Sequence, residues 1–206
     1  NAAAFARHVG IPHEVVAVPV LDNPHVRANP PDRCYHCKKA ILTLLQSLAR
    51  QRGFSTVLEG QNVDDVGVYR PGRLAVMETG ARGPLLASGL TKSEIRLLAR
   101  ALGLTVWDRP SAPCLATRFP YGTNLNKESL NRVAAAESYL RSLGLATVRV
   151  RVDGEMARIE VPVSDLECVL QHRESVVERL TELGYHYLTL DLRGYRSGSR
   201  DEGLAK

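Results

Sequence analysis

Ser55-Thr-Val-Leu58, running into Glu59-Gly60, is a short run of strand-forming residues set between two helical patterns. The alternation around it decides the fold class. Upstream, Ile41, Leu44, Leu45 and Leu48 recur at helical spacing and predict a helix over about residues 33–51, with Gly53 just past its end. Downstream, Thr91-Lys-Ser-Glu94 is a capping box ahead of Ile95, Leu98, Ala99 and Leu102, and Gly103 closes that helix. Nearer the start, residues 2–9 predict a short helix stopped by Gly10, and residues 13–20 form a β-rich run before the Asn29-Pro-Pro-Asp32 turn. Residues 61–83, rich in Asp, Arg and Gly, read as a loop. Strands separated by helices predict an α/β domain built on a parallel sheet covered on both faces.

The pattern changes after Arg109-Pro-Ser-Ala-Pro113. Asn126 caps a helix carrying Leu130, Val133, Ala134, Glu137 and Leu140, ended by Gly144. Two alternating strands, residues 147–152 and 156–161, meet at Asp153-Gly154, a strong hairpin signal. Ser164-Asp-Leu-Glu167 is a second capping box, opening a long helix that ends near Gly184. Residues 186–192 form a last strand, and the tail from Gly194 reads as loop. This half is a small α+β domain. The expected division is residues 1–117 and 118–206.

A chain of 206 residues, 44% hydrophobic and 24% charged, can bury a core without disulfide staples. That excludes a disulfide scaffold, a collagen and a disordered tail. No apolar run reaches bilayer length, and the opening residues lack a charged segment followed by an apolar one. The expected compartment is the cytoplasm. A net charge of +5 permits an anionic partner without demanding one.

Three constellations carry chemistry. The first is Arg33-Cys-Tyr-His-Cys-Lys38 at the mouth of a helix. Cysteines three apart share a face, with roughly 5–6 Å between Cβ atoms. The helix N-terminus, Arg33, Lys38 and Lys39 favour thiolates there. In a chain with no secretory signal the pair reads as metal or redox chemistry. Two ligands do not close a site, and Cys114 in the Pro-Ser-Ala-Pro-Cys loop is the candidate third. Cys168, set among apolar residues of the last helix, reads as a small core side chain.

The second constellation is the hairpin. With Asp153-Gly154 as its turn, Arg149 faces Arg158 and Thr147 faces Glu160. Arg149, Arg151, Arg158 and Glu160 share one face, while Val148, Val150, Val152, Ala157 and Ile159 take the other, which is available to an interface. Like charges directly opposite destabilise a strand pair, and a bound phosphate or carboxylate would relieve them through the arginine forks. An ordinary solvated face fits the same pattern. The third is Leu58-Glu-Gly-Gln-Asn-Val-Asp-Asp65, a polar loop at the carboxyl end of a strand, where α/β folds bind nucleotides. It offers Gly60, Asn62 and Asp65 to a nucleotide, and Asp64 with Asp65 to Mg²⁺. A solvated Asx turn fits as well.

Taken together, Arg33-Cys-Tyr-His-Cys-Lys38, Glu59-Gly-Gln-Asn-Val-Asp-Asp65, Tyr69-Arg-Pro-Gly72, Gly89-Leu-Thr-Lys-Ser-Glu-Ile-Arg96, Trp107-Asp-Arg-Pro110 and Cys114-Leu-Ala-Thr-Arg-Phe-Pro-Tyr-Gly122 resemble the LarE family in order and spacing. So do Ala136-Glu137, Val148-Arg-Val-Arg151, Arg158-Ile-Glu160 and Tyr195-Arg-Ser-Gly198. The resemblance implies an ATP-dependent sulfur transferase of the PP-loop pyrophosphatase type. Its substrate would be a pyridinium dicarboxylate mononucleotide, thiolated on the way to the nickel-pincer cofactor of lactate racemase. It implies that Cys114 supplies sulfur, either sacrificed to dehydroalanine or joined with Cys34 and Cys37 in holding a 4Fe-4S cluster. The three-cysteine pattern favours the cluster. It implies that Arg118, Arg149 and Arg151 bind substrate phosphate, with Lys38 alongside, and that Glu137 and Glu160 are catalytic groups of the same pocket. ATP with Mg²⁺ and a homo-oligomeric assembly are further implications.

One departure stands out. The family's Ser-Gly-Gly-x-Asp-Ser phosphate loop does not occur here, and Asn1-Ala-Ala-Ala resembles the middle of the nucleotide domain. The expectation is a fragment of a longer chain. Two other readings compete: a PP-loop tRNA thiolase with a 4Fe-4S cluster, and a non-catalytic zinc-binding module. Only 5% of residues are aromatic and no long Lys/Arg run occurs, so a small-molecule partner is expected over nucleic acid. Zinc would want a fourth ligand, and no second Cys-x-x-Cys exists.

Overall fold

Apolar spacing marks the longer helices, and side-chain caps open those that begin at Lys92 and Lys127. The computed structural model describes residues 2–67, 69–196 and 198, which fall into two units. The first comprises Asn1–Val26 and Pro31–Arg109, the second Arg27–Pro30 and Pro110–Lys206. The first unit contains α1 (Ala2–Val9), α2 (Pro24–Arg27, whose last residue passes to the second unit), α3 (Arg33–Gln51), α4 (Gly72–Thr79), α5 (Pro84–Ala87) and α6 (Lys92–Ala101). The second contains α7 (Lys127–Ser142), β1 (Arg149–Asp153), β2 (Met156–Glu160), α8 (Leu166–Gln171), α9 (Arg173–Glu182) and β3 (Tyr187–Leu190).

In the first unit α1 and α3 run as predicted. α6 opens on the predicted capping box, in which the Glu94 carboxylate accepts the Thr91 N–H at 2.8 Å and the Thr91 hydroxyl accepts the Glu94 N–H at 3.3 Å. The predicted strands depart from expectation. Among the described residues, neither 13–20 nor 55–58 forms a ladder. A single parallel bridge joins Leu58 to Arg82, with the Arg82 N–H donating to the Val57 carbonyl at 3.0 Å and the Glu59 N–H to the Arg82 carbonyl at 2.9 Å. A strand exists only through its neighbours, and β-rich composition records a fit to a pleated, half-buried surface. Here Val15 and Leu58 are exposed, and Pro12 and Pro19 each lack a ladder donor. The architecture is mixed α/β with a small sheet in the second unit.

The segment read as a loop, 61–83, contains α4. Pro71 is its N-cap, and Ala75 and Val76 are buried where α4 packs against α3. Gly72 permits the approach: a Cβ there would lie 3.2 Å from Lys38 Cδ and 3.5 Å from the Cys34 carbonyl oxygen. A narrow apolar face is enough for a short packed helix, and the surrounding polar residues hid it.

In the second unit the Asn126 side chain caps α7, accepting the Ser129 N–H at 2.7 Å. The sheet has the order β1-β2-β3, with β1 antiparallel and β3 parallel to β2. The predicted hairpin forms in a different register. Asp153 pairs with Met156, so the turn residues are Gly154 and Glu155, which places Arg149 opposite Glu160 and Arg151 opposite Arg158. Gly154, at φ 57, takes the first turn position as a type II′ hairpin prefers. Face membership is unchanged because a two-residue shift preserves the pleat. Val148, Val150, Val152, Ala157 and Ile159 are all buried, and α7 lies against β1. That face is therefore spent on the core and is not open to an interface.

The long helix expected after Ser164 is instead a 3₁₀ turn, Val163–Asp165, followed by α8 and α9, with a break at His172. The His172 Nδ1 lies 2.8 Å from the Cys168 carbonyl oxygen and occupies an acceptor at the end of α8. Cys168 is half-buried, as a core side chain would be. Residues 27–30 join this unit through Asn29, which is fully buried at φ 53. Its Nδ2 donates to the Pro120 carbonyl at 2.7 Å and its own carbonyl accepts the Gly122 N–H at 2.9 Å. Asparagine tolerates the left-handed region that this turn requires. Of the predicted tail, Ser197 and residues 199–206 lie outside the described residues.

Tyr185 closes the core behind α7 and α9. It is fully buried, its hydroxyl has no protein partner among the described residues, and burial pushes its pKa up to about 12. An unfolded tyrosine loses its proton near pH ~10. The unfolded state therefore gains stability over the folded one between that pH and about 12. Tyr185→Phe is expected to leave stability at neutral pH unchanged or raised, and to flatten the alkaline loss. Urea unfolding midpoints at about pH 8 and about pH 11 measure both effects.

Candidate functional site

The polar face of the hairpin meets the turn at Leu115–Arg118 within the second unit. Two carboxylates organise it. Glu137, on α7 and 0% exposed, accepts Arg118 Nε at 2.6 Å and Arg118 Nη2 at 3.1 Å, and also Arg141 Nη2 at 2.6 Å and the Val150 N–H at 3.1 Å. Glu160, 1% exposed, accepts Arg151 Nε at 2.9 Å and Arg158 Nη2 at 3.2 Å. Arg151 and Arg158 are the like charges set opposite one another, and Glu160 bridges them. Buried charges persist only where paired and hydrogen-bonded, and both glutamates meet that condition.

Arg149 does not. It is 6% exposed, and its Nη1 and Nη2 donate to the Val148 and Ser111 carbonyls at 2.8 and 3.2 Å. Its guanidinium stands 5.2 Å from the Tyr195 ring centroid. Among the described residues no carboxylate lies within ion-pair distance of it. Burial first, and the positive charge of Arg118 second, hold its pKa below the ordinary arginine value. A desolvated guanidinium with no carboxylate partner among the described residues is a group that an anion would satisfy.

Cys114 is exposed and stands at the N-cap of the Leu115–Arg118 turn. Its carbonyl accepts the Thr117 N–H at 3.0 Å, the Thr117 hydroxyl at 2.8 Å and Arg118 Nη1 at 3.4 Å.

In the first unit Cys34 is exposed and Cys37 half-buried near the start of α3, and neither is in a disulfide. Arg33 Nη2 lies 3.6 Å from the Cys34 sulfur. Lys38 pairs with Glu59 at 2.7 Å and Lys39 with Glu78 at 2.7 Å, so those two cations are already balanced by carboxylates. The Asn62 side chain accepts the Asp64 N–H at 3.0 Å while Asp65 accepts the Asn62 N–H at 3.2 Å. Asp64 also accepts the Lys92 N–H at 2.9 Å, and Asp65 pairs with Arg70 at 3.4 Å. Gly60 lies in the irregular stretch beside them.

No protein-family model matches the chain. The pyridinium-3,5-bisthiocarboxylic acid mononucleotide synthase of Lactiplantibacillus plantarum is 39% identical over 206 residues, covering all of this chain and 75% of that protein. The chain belongs to the LarE family. It is an enzyme, a sulfurtransferase. An uncharacterised protein of Synechocystis is 43% identical over 208 residues, covering 100% of this chain and 78% of its own length. An uncharacterised protein of Methanocaldococcus jannaschii is 29% identical over 169 residues, covering 82% of this chain and 66% of its own length.

Within this LarE chain the second unit brings together Cys114, Arg118, Glu137, Arg149, Arg151 and Glu160. Lys38, Gly60, Asn62, Asp65, Cys34 and Cys37 belong to the first. Among the described residues neither unit assembles three His, Cys, Asp or Glu side chains that could hold a metal. Cys34, Cys37 and Cys114, none of them in a disulfide, are the kind of donor an iron–sulfur cluster takes, and they are divided between the units. Sequence reasoning missed Ser111, which acts through its carbonyl, Thr117, which acts through its hydroxyl and its main chain, and Arg141, whose signal was its helical spacing from Glu137.

Because Glu137 neutralises two guanidinium groups with no exposure to water, Glu137→Gln is expected to cost about 3–5 kcal/mol. Arg141, 45% exposed at the rim of the same pair, should cost about 1 kcal/mol or less as Arg141→Ala. Urea unfolding of the two variants beside the parent chain tests the contrast.

Proposed function

We propose that this LarE chain converts the carboxylates of a pyridinium dicarboxylate mononucleotide to thiocarboxylates, the chemistry that builds the nickel-pincer cofactor of lactate racemase. The relative from Lactiplantibacillus plantarum carries a name describing a bisthiocarboxylic acid mononucleotide synthase, and a mononucleotide presents the anions that this polar face would take. The observation that carries the reading is Arg149, buried without a carboxylate partner among the described residues and on the same unit as the exposed Cys114.

The reaction divides into two halves. ATP transfers its adenylyl group to a substrate carboxylate with loss of pyrophosphate, which turns a carboxylate oxygen into the leaving group AMP. A sulfur nucleophile then adds to the carbonyl carbon, and the C–O bond to AMP breaks with its electron pair. Arg149 binds the substrate phosphate or carboxylate and raises its occupancy beside Cys114. Gly60, Asn62 and Asp65, with Mg²⁺, are proposed to face the nucleotide, and Lys38 to stabilise transferring phosphate charge once released from Glu59. Cys34, Cys37 and Cys114 are proposed to hold a 4Fe-4S cluster, which supplies an iron able to carry an expendable sulfide. The readings as a tRNA thiolase or a zinc module draw on no further observation.

Anaerobically purified protein is expected to hold about four irons and matching acid-labile sulfide per chain, lost in the Cys34/Cys37/Cys114→Ala triple variant. No iron after reconstitution would overturn the cluster and leave Cys114 as a sacrificial donor. Arg149→Lys is expected to lower kcat/KM for the mononucleotide roughly tenfold to a hundredfold, because a point charge does not replace a planar fork. Unchanged kcat/KM would remove Arg149 from the substrate site.

A further inference from the structure

Two buried ion pairs end on the same short turn, and one residue receives both. Arg118, held at Nε and Nη2 by Glu137, turns its remaining Nη1 to the Thr117 hydroxyl at 2.8 Å and the Cys114 carbonyl at 3.4 Å. Arg151, held at Nε by Glu160, turns its Nη1 to the Thr117 carbonyl at 2.8 Å. Thr117 in turn donates its N–H and its hydroxyl to the Cys114 carbonyl, at 3.0 and 2.8 Å. Its hydroxyl, N–H and carbonyl are thus all engaged.

The geometry points to Glu137 and Glu160 as positioning residues for Cys114. They act through Arg118 and Arg151, with Thr117 as the junction. Neither carboxylate is exposed enough to meet a substrate: Glu137 is 0% and Glu160 1% exposed. Each instead fixes one face of a guanidinium and thereby aims the opposite N–H at a main-chain oxygen. The product is a combination in which the carbonyl of an exposed Cys114 accepts three hydrogen bonds from a turn anchored by two buried carboxylates. A thiol that must meet an incoming group in one orientation benefits from that arrangement, since small misplacements of a reacting atom cost large factors in rate. This inference rests on the proposal that Cys114 delivers or ligates sulfur, but the geometry of the turn can be tested apart from it.

Glutamine at either glutamate risks the fold, so the test centres on Thr117. Thr117→Val keeps the shape and removes the hydroxyl, and Thr117→Ser restores it. The first readout is the rate at which iodoacetamide alkylates each cysteine of the full chain, followed by peptide mass spectrometry. Thr117→Val is expected to change the Cys114 rate by about threefold or more, with Cys34, Cys37 and Cys168 unchanged, and Thr117→Ser to return it to the parent value. An unchanged Cys114 rate would overturn the inference, as would a common change at all four cysteines, which marks general loosening. The second readout is sulfur transfer, where kcat should fall about tenfold or more while KM for the mononucleotide stays level. If the parent chain transfers no sulfur while the alkylation contrast persists, the functional reading fails and the positioning role stands.

Discussion

A carboxylate sealed from water between a helix and a strand governs the second unit. Glu137 sits where α7 passes β1, and its oxygens receive two guanidinium groups and the Val150 amide. A charge in that place is tolerable only if every lone pair is met, so α7, β1 and the Leu115–Arg118 turn are each constrained by the same group. Leaving Arg118 without it would strand a cation inside the unit. Glu160 repeats the arrangement on the hairpin with Arg151 and Arg158. The valine face of the sheet fills the core, and the opposite face becomes a fixed polar surface.

That surface is cationic by design of the pairs. Arg118 and Arg151 are spoken for, and the charge left over is Arg149, cradled by two carbonyls and the Tyr195 ring. The approach of Tyr195 depends on Gly194, where a Cβ would lie 2.9 Å from the Val161 carbonyl oxygen. Any side chain at that position would lift the segment off the sheet, and the aromatic cover of Arg149 with it.

What could be read in advance follows a physical line. Capped helices were legible because their signals are local: Thr91 with Glu94 and Asn126 with Ser129 act within one turn. The composition of each hairpin face was legible because it needs only the period of two. Its register was not, since Asp153-Gly154 and Gly154-Glu155 are both acceptable turns and the choice lies in how the glycine's positive φ is used. α4 escaped notice because its stability comes from two small buried residues and a glycine contact with α3. Paired strands in the first unit were expected from composition alone, which says nothing of neighbours. The shared face of Arg149, Arg151 and Glu160 was legible because it too needs only the period of two. That Glu137 and Arg118 grip one another required the fold, because a bond across 19 positions of sequence leaves no periodic trace.

The four residues 27–30 carry a consequence for how this molecule is assembled. They lie in sequence between α1 and α3, yet their hydrogen bonds are to Pro120, Gly122 and Leu125, with one donor and acceptor separated by 91 positions. The second unit is therefore discontinuous, and a piece of its backbone is synthesised before most of the first unit. Loop closure of that length costs entropy that only later contacts return. Ribosomal synthesis completes the first unit at residue 109, while residues 27–30, made long before, reach their partners only once the 120–125 segment has emerged.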